Sequence, residues 1–267
     1  MIVKNRPNFD NSQNISQNKK ILNKSNILNN QLKKNNIQNQ KMSYVIHNTM
    51  EELCEELMQR GEIKSQKVKS ALMKVDRKDF IDSKKCYQNR AQQIPCNVVI
   101  SAPHLHGYCL ENLKDYLTEG SRVLDVGFGS GYLTVAMSKM MNDKGTVYGI
   151  EHMEKLCELG LNNISKHHKN LLDNGTIQLI CGDGRKGYIE GAPYKCIHVG
   201  AGAEKVPQEL LEQLEIGGRL LIPIGPKGDQ YIHFIDRVDK TNYKTEKGWS
   251  VCYVDLTSKE NQMKNQQ

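Results

Sequence analysis

The feature of the sequence that most constrains the fold is an apolar run that ends in an acid and a cluster of glycines. Residues 123–134 read VLDVGFGSGYLT, and apolar residues continue at helical spacing to Met137. We interpret this segment as a strand, a tight turn and a helix N-terminus, the first unit of an open parallel α/β sheet. Gly127, Gly129 and Gly131 lack a Cβ atom, so the turn can adopt positive φ angles and a ligand can lie against its backbone.

The spacing of these glycines indicates the kind of ligand. It is G-x-G-x-G, whereas a helix N-terminus that holds a pyrophosphate follows the pattern G-x-G-x-x-G. The difference favours an adenosyl group without phosphates over a dinucleotide. Taken alone, the turn also fits a purely structural link between a strand and a helix.

Two acidic residues follow the next two predicted strands. Glu151 ends the strand 146–151, about 20 residues beyond the glycines, where an acid can accept hydrogen bonds from a ribose 2′-hydroxyl. Asp183 follows the strand 176–181. Each acid alone is equally consistent with a helix N-cap. Because the ends of parallel strands meet at one edge of the sheet, the three features together predict a nucleoside site.

The remaining sequence predicts four more strands and completes a seven-stranded, mostly parallel sheet. We expect these strands at residues 195–200, 218–224, 231–238 and 249–256. The helix that begins at Pro207 would present Leu210, Leu211 and Leu214. The polar stretch 239–247 is expected to join the last two strands.

Charge is concentrated in the first 42 of the 267 residues. This segment, rich in Asn, Gln, Lys and Ser, holds eight basic residues and one acidic residue, and so accounts for the net charge of +7. We predict a disordered extension over 1–42, favour a low-complexity tail over an organellar targeting peptide, and place one folded domain at 43–267. The folded part is electrically neutral, so we expect no nucleic-acid partner.

The apolar content of the sequence bears on localisation. Hydrophobic residues make up 38% of the chain, and no run approaches the ~20 apolar residues of a membrane span. The first residues also lack the apolar core of a secretory signal. We therefore expect a cytoplasmic protein that does not associate with membranes.

The chain contains eight cysteines, and none of them forms a C-x-x-C pair. Several lie in predicted strands or helices among apolar neighbours. We interpret them as small buried apolar side chains in a reducing compartment, and favour this over a disulfide framework or a zinc site.

Two amphipathic helices are predicted before the sheet. Asn48 or Thr49 can cap the first, which ends at Gly61, and Ser65 can cap the second. An irregular region follows, up to about Val98. We expect a small helical cover over 48–100 with a structural role, and a Rossmann-like core over 101–267.

Residues 98–108 read VVISAPHLHGY and contain a possible anion site. Pro103 suits the first turn of a helix running from about His104 to Leu117. Ser101 then lies at or near an N-cap, beside free backbone N–H groups that can bind a carboxylate. A plain helix cap is the alternative interpretation. His104 and His106 form a poor metal site without a third ligand, so we predict no metal.

Six segments of the sequence occur in a characteristic order and spacing. They are ISAPHLH at 100–106, DVGFGSG at 125–131, GDGRKGY at 182–188, APY at 192–194, IHVGA at 197–201 and GGRLLIPIG at 217–225. Together they resemble the protein-L-isoaspartate (D-aspartate) O-methyltransferase family over about residues 48–260. The family resemblance implies a Rossmann-like class I methyltransferase dependent on S-adenosyl-L-methionine. It implies methylation of the α-carboxyl of L-isoaspartyl residues, and also of D-aspartyl residues, in damaged proteins, followed by succinimide formation and partial return to aspartate.

The same resemblance implies the site residues. Ser101 matches the catalytic position. The partners would be isoaspartyl-containing proteins and peptides. We expect the protein to be a monomer. Together with the glycine turn, the cofactor-contacting positions are Val98, Val99, Ile100, Ser101, His106, Asp125, Gly127, Gly129, Ser130, Glu151, Asp183, Gly184, Thr257 and Gln262.

The implied reaction needs little chemistry from the protein. A carboxylate with a pKa near ~3.9 is already ionised at neutral pH, so its attack on a sulfonium methyl group requires no general base. Catalysis can rest on alignment and exclusion of water. A neutral hydroxyl such as that of Ser101 suits this reaction better than a lysine, which would bind the ground state too strongly.

Three positions depart from the family pattern. Phe128 stands where a small residue is usual, Val99 where Thr is usual, and Glu151 where Asp is usual. The phenyl ring would either crowd the cofactor or point away from it. Two alternative functions stay open: a methyltransferase for another substrate, such as RNA drawn in by the basic tail, and a weakly active cofactor-binding scaffold.

Overall fold

The computed structural model describes residues 47–264, so the predicted disordered extension at 1–42 lies outside the described residues. Eight α-helices lie in this part of the chain: α1 Met50–Gln59, α2 Gln66–Met73, α3 Pro103–Leu113, α4 Tyr132–Met140, α5 Glu154–His167, α6 Lys169–Asp173, α7 Gln208–Glu212 and α8 Lys259–Lys264. The strands in the same part are β1 Gln92–Ile94, β2 Val98–Ile100, β3 Arg122–Val126, β4 Thr146–Glu151, β5 Ile177–Cys181, β6 Tyr194–Val199, β7 Leu214–Ile224, β8 Gln230–Arg237 and β9 Tyr243–Val251.

The main sheet has seven strands in the order β5-β4-β3-β6-β7-β8-β9. Strands β3 to β7 are parallel, and β8 is antiparallel to both of its neighbours. The predicted seven-stranded, mostly parallel α/β fold is thus confirmed. The chain runs outward from β3 to β5 and then returns to β6 on the other side of β3. Ligands bind open sheets at such a reversal of strand order.

Successive apolar side chains along the strands alternate between the two faces of the sheet and so form two apolar layers. In β3, Val123 belongs to one buried cluster and Leu124 to the other, and Cys196 and Ile197 of β6 divide in the same way. Because successive side chains of a strand point to opposite faces, the two clusters lie on opposite faces of the sheet. The helices α1 to α5 pack on the first cluster, whereas Leu210 of α7 packs on the second.

The region before the core contains the two predicted helices and one unpredicted element. The Thr49 and Ser65 side chains cap α1 and α2, accepting hydrogen bonds from the backbone N–H groups of Glu52 and Val68. Strands β1 and β2 then form an antiparallel pair within the segment predicted to be irregular. Each strand has three residues, which is too short for an alternation pattern to be visible in the sequence. The cover is therefore helical with an added hairpin.

Three predicted boundaries are wrong. Helix α3 ends at Leu113 and not at Leu117, and Leu214 opens β7 and does not continue α7. The last strand is Tyr243–Val251, shifted by several residues from the predicted 249–256. This strand lies at the edge of the sheet and is mostly exposed, so its sequence is polar and was interpreted as a connection. No helix between residues 47 and 264 has the length and apolar character needed to span a lipid bilayer.

Candidate active site

The glycine turn lies where strand order reverses. The φ angles of Gly127, Gly129 and Gly131 are 77°, 51° and 82°, a left-handed conformation that favours glycine. A Cβ atom on Gly127 would make no clash, since its nearest neighbour, the Gly200 carbonyl carbon, lies 3.9 Å away at ordinary van der Waals distance. The turn therefore leaves a cradle that a side chain would fill and a ligand can occupy.

Glu151 is held at the end of β4 with its carboxylate toward this turn. Oε1 accepts hydrogen bonds from the backbone N–H groups of His152, at 2.8 Å, and Met153, at 3.1 Å. Oε2 accepts only a long one, 3.4 Å, from Gly129 N–H. Burial raises the pKa of the Glu151 carboxyl above its ordinary value, although the backbone donors oppose the shift. Oε2 is thus the oxygen with free capacity to accept hydrogen bonds from ribose hydroxyls.

The turn and Glu151 form two walls of a cleft that we name the nucleoside cleft. It encloses about 600 Å³ when the space open to solvent at its mouth is included. Its residues are Ile94, Val98, Val99, Val126, Gly127, Gly129, Ile150, Glu151, His152, Leu156, Gly184, Gly200, Ala201, Val254, Asp255, Leu256, Thr257 and Gln262. A glycine cradle, an apolar floor and a buried acid fit an adenosyl group.

The C-terminal segment closes one side of the nucleoside cleft. The Gly202 N–H donates to the Val254 carbonyl, and the Leu256 N–H donates to the Gly202 carbonyl. Gln262 contacts His152 through its Oε1 atom, at 2.5 Å from His152 Nε2. These contacts explain how Thr257 and Gln262, more than 100 residues from Glu151, reach the same cleft.

A second cavity, which we name the Ser101 pocket, adjoins the nucleoside cleft. Val99, Gly127, Gly129 and Gly200 line both. The other residues around the Ser101 pocket are Ile100, Ser101, His106, Asp125, Phe128, Ser130, Tyr132, Leu133 and His198. Ser101 is half-buried between β2 and α3 and lies one residue before Ala102, the observed N-cap residue of α3, so it is near the cap as predicted.

Buried Asp125 and His198 form a pair at the base of the Ser101 pocket. Asp125 Oδ1 lies 2.9 Å from His198 Nδ1, and Asp125 Oδ2 accepts from the Thr134 hydroxyl at 2.6 Å. Burial disfavours the imidazolium, but the hydrogen bond and charge of Asp125 outweigh it and raise the pKa of His198 to about 10. Asp125 therefore ties β3 to α4 and β6, and its carboxylate does not reach into the nucleoside cleft.

Arg77 supports Ser101 from behind. Its guanidinium is fully buried, donates to the Ser101 carbonyl at 2.7 Å and lies 3.3 Å from His106 Nδ1. Burial lowers the pKa of Arg77 to about 10, so the group stays charged at neutral pH. Burial and the nearby guanidinium lower the pKa of His106, which is therefore neutral. A guanidinium only donates, so His106 Nδ1 accepts and Nε2 carries the hydrogen.

Tyr253 reaches Ser101 from the C-terminal segment. Its phenol lies close to the side chains of Ser101 and Cys109. Burial raises the pKa of the phenol, which therefore stays protonated and can donate. The Tyr253 N–H donates to the buried Gln230 side chain at 2.6 Å, which fixes this part of the segment.

Phe128 points away from the nucleoside cleft. A Cβ atom on Gly149 would lie 2.9 Å from the Phe128 ring, and one on Gly160 would lie 2.6 Å from it. The ring thus fills a slot that exists because β4 and α5 each carry a glycine there. Of the two orientations expected for this ring, the structure shows the one that leaves room for a cofactor.

The structure brings thirteen of the fourteen predicted site residues to the walls of the two cavities. Asp183 is the exception. It lines a neighbouring cleft, and its carboxylate pairs with the Arg185 guanidinium at 2.7 Å, which holds the pKa of Asp183 below its ordinary value. The assignment of Asp183 to the cofactor stays a prediction.

Three residues around Ser101 were not predicted as site residues. His198 is the one with a visible signal, because a lone imidazole in an apolar strand demands a buried partner. Arg77 and Tyr253 carry no such signal. They come from segments 24 residues before and 152 residues after Ser101, and only the tertiary fold brings them together.

Comparisons with known proteins agree with this geometry. A family model described as protein-L-isoaspartate(D-aspartate) O-methyltransferase matches residues 48–261. A Caenorhabditis elegans protein-L-isoaspartate O-methyltransferase is 44% identical over 80% of this chain and 95% of that protein. Arabidopsis thaliana protein-L-isoaspartate O-methyltransferase 1 is 39% identical over 79% of this chain and 93% of that protein.

A solved structure shows the same fold. The crystal structure of a Plasmodium falciparum protein-L-isoaspartate O-methyltransferase, in complex with S-adenosyl-L-homocysteine, is similar with a TM-score of 0.74 and 32% identity. The similarity covers 79% of this chain and 99% of that chain. The family model and both relatives cover most of the chain, and the chain belongs to the protein-L-isoaspartate(D-aspartate) O-methyltransferase family.

Proposed function

We propose that this protein transfers the methyl group of S-adenosyl-L-methionine to the α-carboxyl of L-isoaspartyl residues, and of D-aspartyl residues, in damaged proteins. The observation that carries the proposal is the shared wall between the nucleoside cleft and the Ser101 pocket. Val99, Gly127, Gly129 and Gly200 separate a site shaped for an adenosyl group from a site built around a hydroxyl. A methyl donor and a carboxylate can therefore meet across that wall.

The protein's own part in this reaction is to bind, orient and exclude water. When bound, S-adenosylmethionine supplies an electrophilic methyl group on a sulfonium. Glu151 Oε2 accepts from the ribose hydroxyls, and the glycine turn receives the rest of the nucleoside without steric conflict. No general base is needed because the substrate carboxylate is already ionised.

Ser101 is the residue that holds the substrate carboxylate in this proposal. The Ser101 hydroxyl can donate a hydrogen bond to the substrate carboxylate, and the Tyr253 phenol lies beside it. The fixed charge of Arg77, behind the Ser101 carbonyl, favours an anion in the pocket. The substrate carboxylate is thus aligned by the neutral Ser101 hydroxyl, and the positive charge of Arg77 lies behind Ser101 without contacting the substrate.

The resulting methyl ester can lose methoxide, a better leaving group than the hydroxide that the unesterified carboxyl would have to lose. The adjacent backbone amide nitrogen of the substrate then attacks the ester carbonyl and forms a succinimide with release of methanol, and hydrolysis returns part of the material to normal aspartate. The whole sequence is a repair of spontaneous damage, in which only the esterification requires the enzyme.

The test is transfer of labelled methyl from S-adenosylmethionine to a short isoaspartyl peptide. The control is the same peptide with normal aspartate, and a structured RNA is assayed in parallel. We expect base-labile label on the isoaspartyl peptide alone. Label on RNA would support the alternative substrate, and cofactor binding without any label would support a scaffold role.

Several further properties are proposals of the same kind. The enzyme domain spans residues 43–267, with 1–42 as an appended tail. The protein acts as a cytoplasmic monomer, with isoaspartyl proteins as partners and without nucleic acid or membrane. The equal numbers of acidic and basic residues beyond residue 42 support the exclusion of nucleic acid.

A further inference from the structure

Two of the eight cysteines lie in direct contact. The sulfur atoms of Cys157, in α5, and Cys181, at the end of β5, are 2.6 Å apart. Sulfur atoms in a disulfide are ~2.04 Å apart, so closing a bond between these two requires little movement. The interpretation of the cysteines as buried apolar side chains applies to Cys54, Cys86, Cys109 and Cys196, but not to this pair.

The pair lies directly behind Glu151. The Cys157 thiol donates to the Glu151 carbonyl at 3.3 Å, and the Gly182 N–H donates to the same carbonyl at 2.9 Å. Cys181 is opposite Glu151 in the register of β4 and β5. The two thiols therefore join the first turns of α5 to the strand end beside the nucleoside cleft.

The two thiols differ in ways that suit sequential oxidation. Cys181 is exposed, whereas Cys157 is half-buried. A dissolved disulfide can therefore reach Cys181 more easily, and access is one of the factors that decide which thiol reacts. Burial, followed by the neighbouring Cys181 thiol, raises the pKa of Cys157. Cys181 is thus the thiol that meets an oxidant first, and Cys157 is the one that reacts second.

We propose that Cys157 and Cys181 form a redox site, which a low-molecular-weight disulfide such as glutathione disulfide converts to an intramolecular disulfide. The Cys181 thiolate attacks one sulfur of the oxidant and releases one glutathione thiolate. Cys157 then loses its proton and attacks Cys181 Sγ, which releases the second. Two protein thiols are oxidised, and one glutathione disulfide is reduced to two glutathione molecules.

The bond would cross-link the start of α5 to the end of β5. The two residues are 24 positions apart, so the closed loop contains most of α5, all of α6 and β5. A cross-link of this length restricts the unfolded chain and stabilises the folded one. The oxidised protein therefore unfolds at a higher temperature than the reduced protein, by several degrees.

The first experiment counts thiols. Reduced full-length protein is incubated with glutathione disulfide, freed of small molecules, and titrated under denaturing conditions, alongside intact-mass measurement and peptide mapping. We expect the loss of two thiols, the mass of two hydrogen atoms and one linked peptide pair joining Cys157 to Cys181. Dithiothreitol should reverse all three changes.

Matched variants identify the site. Cys157→Ser and Cys181→Ser should each abolish the loss of paired thiols and the rise in unfolding temperature. Cys252→Ser removes another exposed cysteine, and this variant should still lose two thiols on oxidation and show the higher unfolding temperature. A stable glutathione adduct on Cys181 without ring closure, or a linked pair that includes another cysteine, would overturn the proposal. None of these measurements depends on methyl transfer, so they stand apart from the proposed function.

Discussion

Two adjoining cavities share a wall at Val99, Gly127 and Gly129 and differ in how they are built. The nucleoside cleft is made mainly by strand ends and the turns that follow them. Its key polar group, Glu151, is held by the N–H groups of the next two residues. The Ser101 pocket is made by side chains that come from distant parts of the chain.

The pairing of buried polar groups differs in the same way. Beside the Ser101 pocket, Arg77 Nε and His198 Nε2 have no hydrogen-bonding partner among the described residues. The other guanidinium nitrogens of Arg77 lie against the Ser101 carbonyl and His106 Nδ1. The salt bridges of residues 47–264 nevertheless include none for Arg77, although it is fully buried, and burying a charge without an ionic partner costs stability. We therefore expect the charge of Arg77 to favour a substrate carboxylate in the neighbouring pocket.

The largest expected effect is a loss of turnover when the Ser101 hydroxyl is removed. It tests whether the two cavities have separate roles. Ser101→Ala should lower kcat for an isoaspartyl peptide by about 100-fold, the usual loss when one positioned donor is removed from a reaction centre. The dissociation constant of S-adenosylhomocysteine, measured by calorimetry, should stay unchanged. Glu151→Gln is the opposite case, because it should weaken this binding and leave kcat at saturating cofactor nearly unchanged.

Equal losses of turnover and cofactor affinity in Ser101→Ala would contradict the assignment of substrate binding to the Ser101 pocket and of cofactor binding to the nucleoside cleft. They would mean that the hydroxyl supports the shared wall, not the substrate. Thermal unfolding of the variant checks that the fold is retained.

The second effect concerns the Phe128 ring, which fixes the glycine turn from the side away from the ligand. Gly160→Ala places a Cβ atom 2.6 Å from the ring and should cost about 2 kcal/mol of unfolding free energy by overpacking. Cofactor affinity should fall as well, because the ring and the turn move together. Phe128→Ser in the same chain should relieve the conflict.

A double-mutant cycle measures this coupling. The unfolding free energies of both single variants and the double variant should give an interaction of about 1 kcal/mol or more, typical of residues in contact. Additive effects would show that the ring does not occupy the slot between Gly149 and Gly160.

The third effect tests whether Arg77 serves the substrate. Arg77→Met replaces the charge by an apolar side chain of similar length, and should raise KM for the isoaspartyl peptide about tenfold because the pocket loses its positive charge. Unfolding free energy should change little or rise, as often follows when buried charges are replaced by apolar groups. Arg77→Lys keeps the positive charge, so its KM should lie between those of the wild-type protein and Arg77→Met. An unchanged KM with a large loss of stability would make Arg77 purely structural.

The same contrast explains what the sequence could predict. The glycine turn, Glu151 and the order of the core strands were predictable because they depend on residues that are close in the chain. The orientation of Phe128 was not, since Gly149 and Gly160, which form its slot, have no sequence signature. Ser101 was identified by its motif, but its contacts with Arg77 and Tyr253 depend on long-range packing.

The errors in the fold have a related physical cause. Strand β9 was misplaced because an exposed edge strand carries polar residues on both faces, so its sequence resembles a connection. The assignment of Asp183 to the cofactor, made from its position after a strand, stays a prediction; in the structure its carboxylate pairs with Arg185, two residues later. The local sequence pattern can place a residue at the correct edge of the sheet. The partners of its side chain depend on tertiary packing, which the local pattern does not show.

The smallest expected effect is a pH dependence that belongs to the nucleoside cleft alone. Ionised Glu151 accepts hydrogen bonds from ribose hydroxyls, and burial raises its pKa. As pH falls through this raised pKa, the carboxyl becomes protonated and S-adenosylhomocysteine should bind several-fold more weakly. The loss should therefore begin at a higher pH than for an exposed glutamate, whose pKa is ~4.3. Glu151→Gln should bind weakly without this pH dependence, whereas Ser101→Ala should follow the wild-type profile. If Ser101→Ala altered the profile instead, the two cavities would be electrostatically coupled and the division between them would fail.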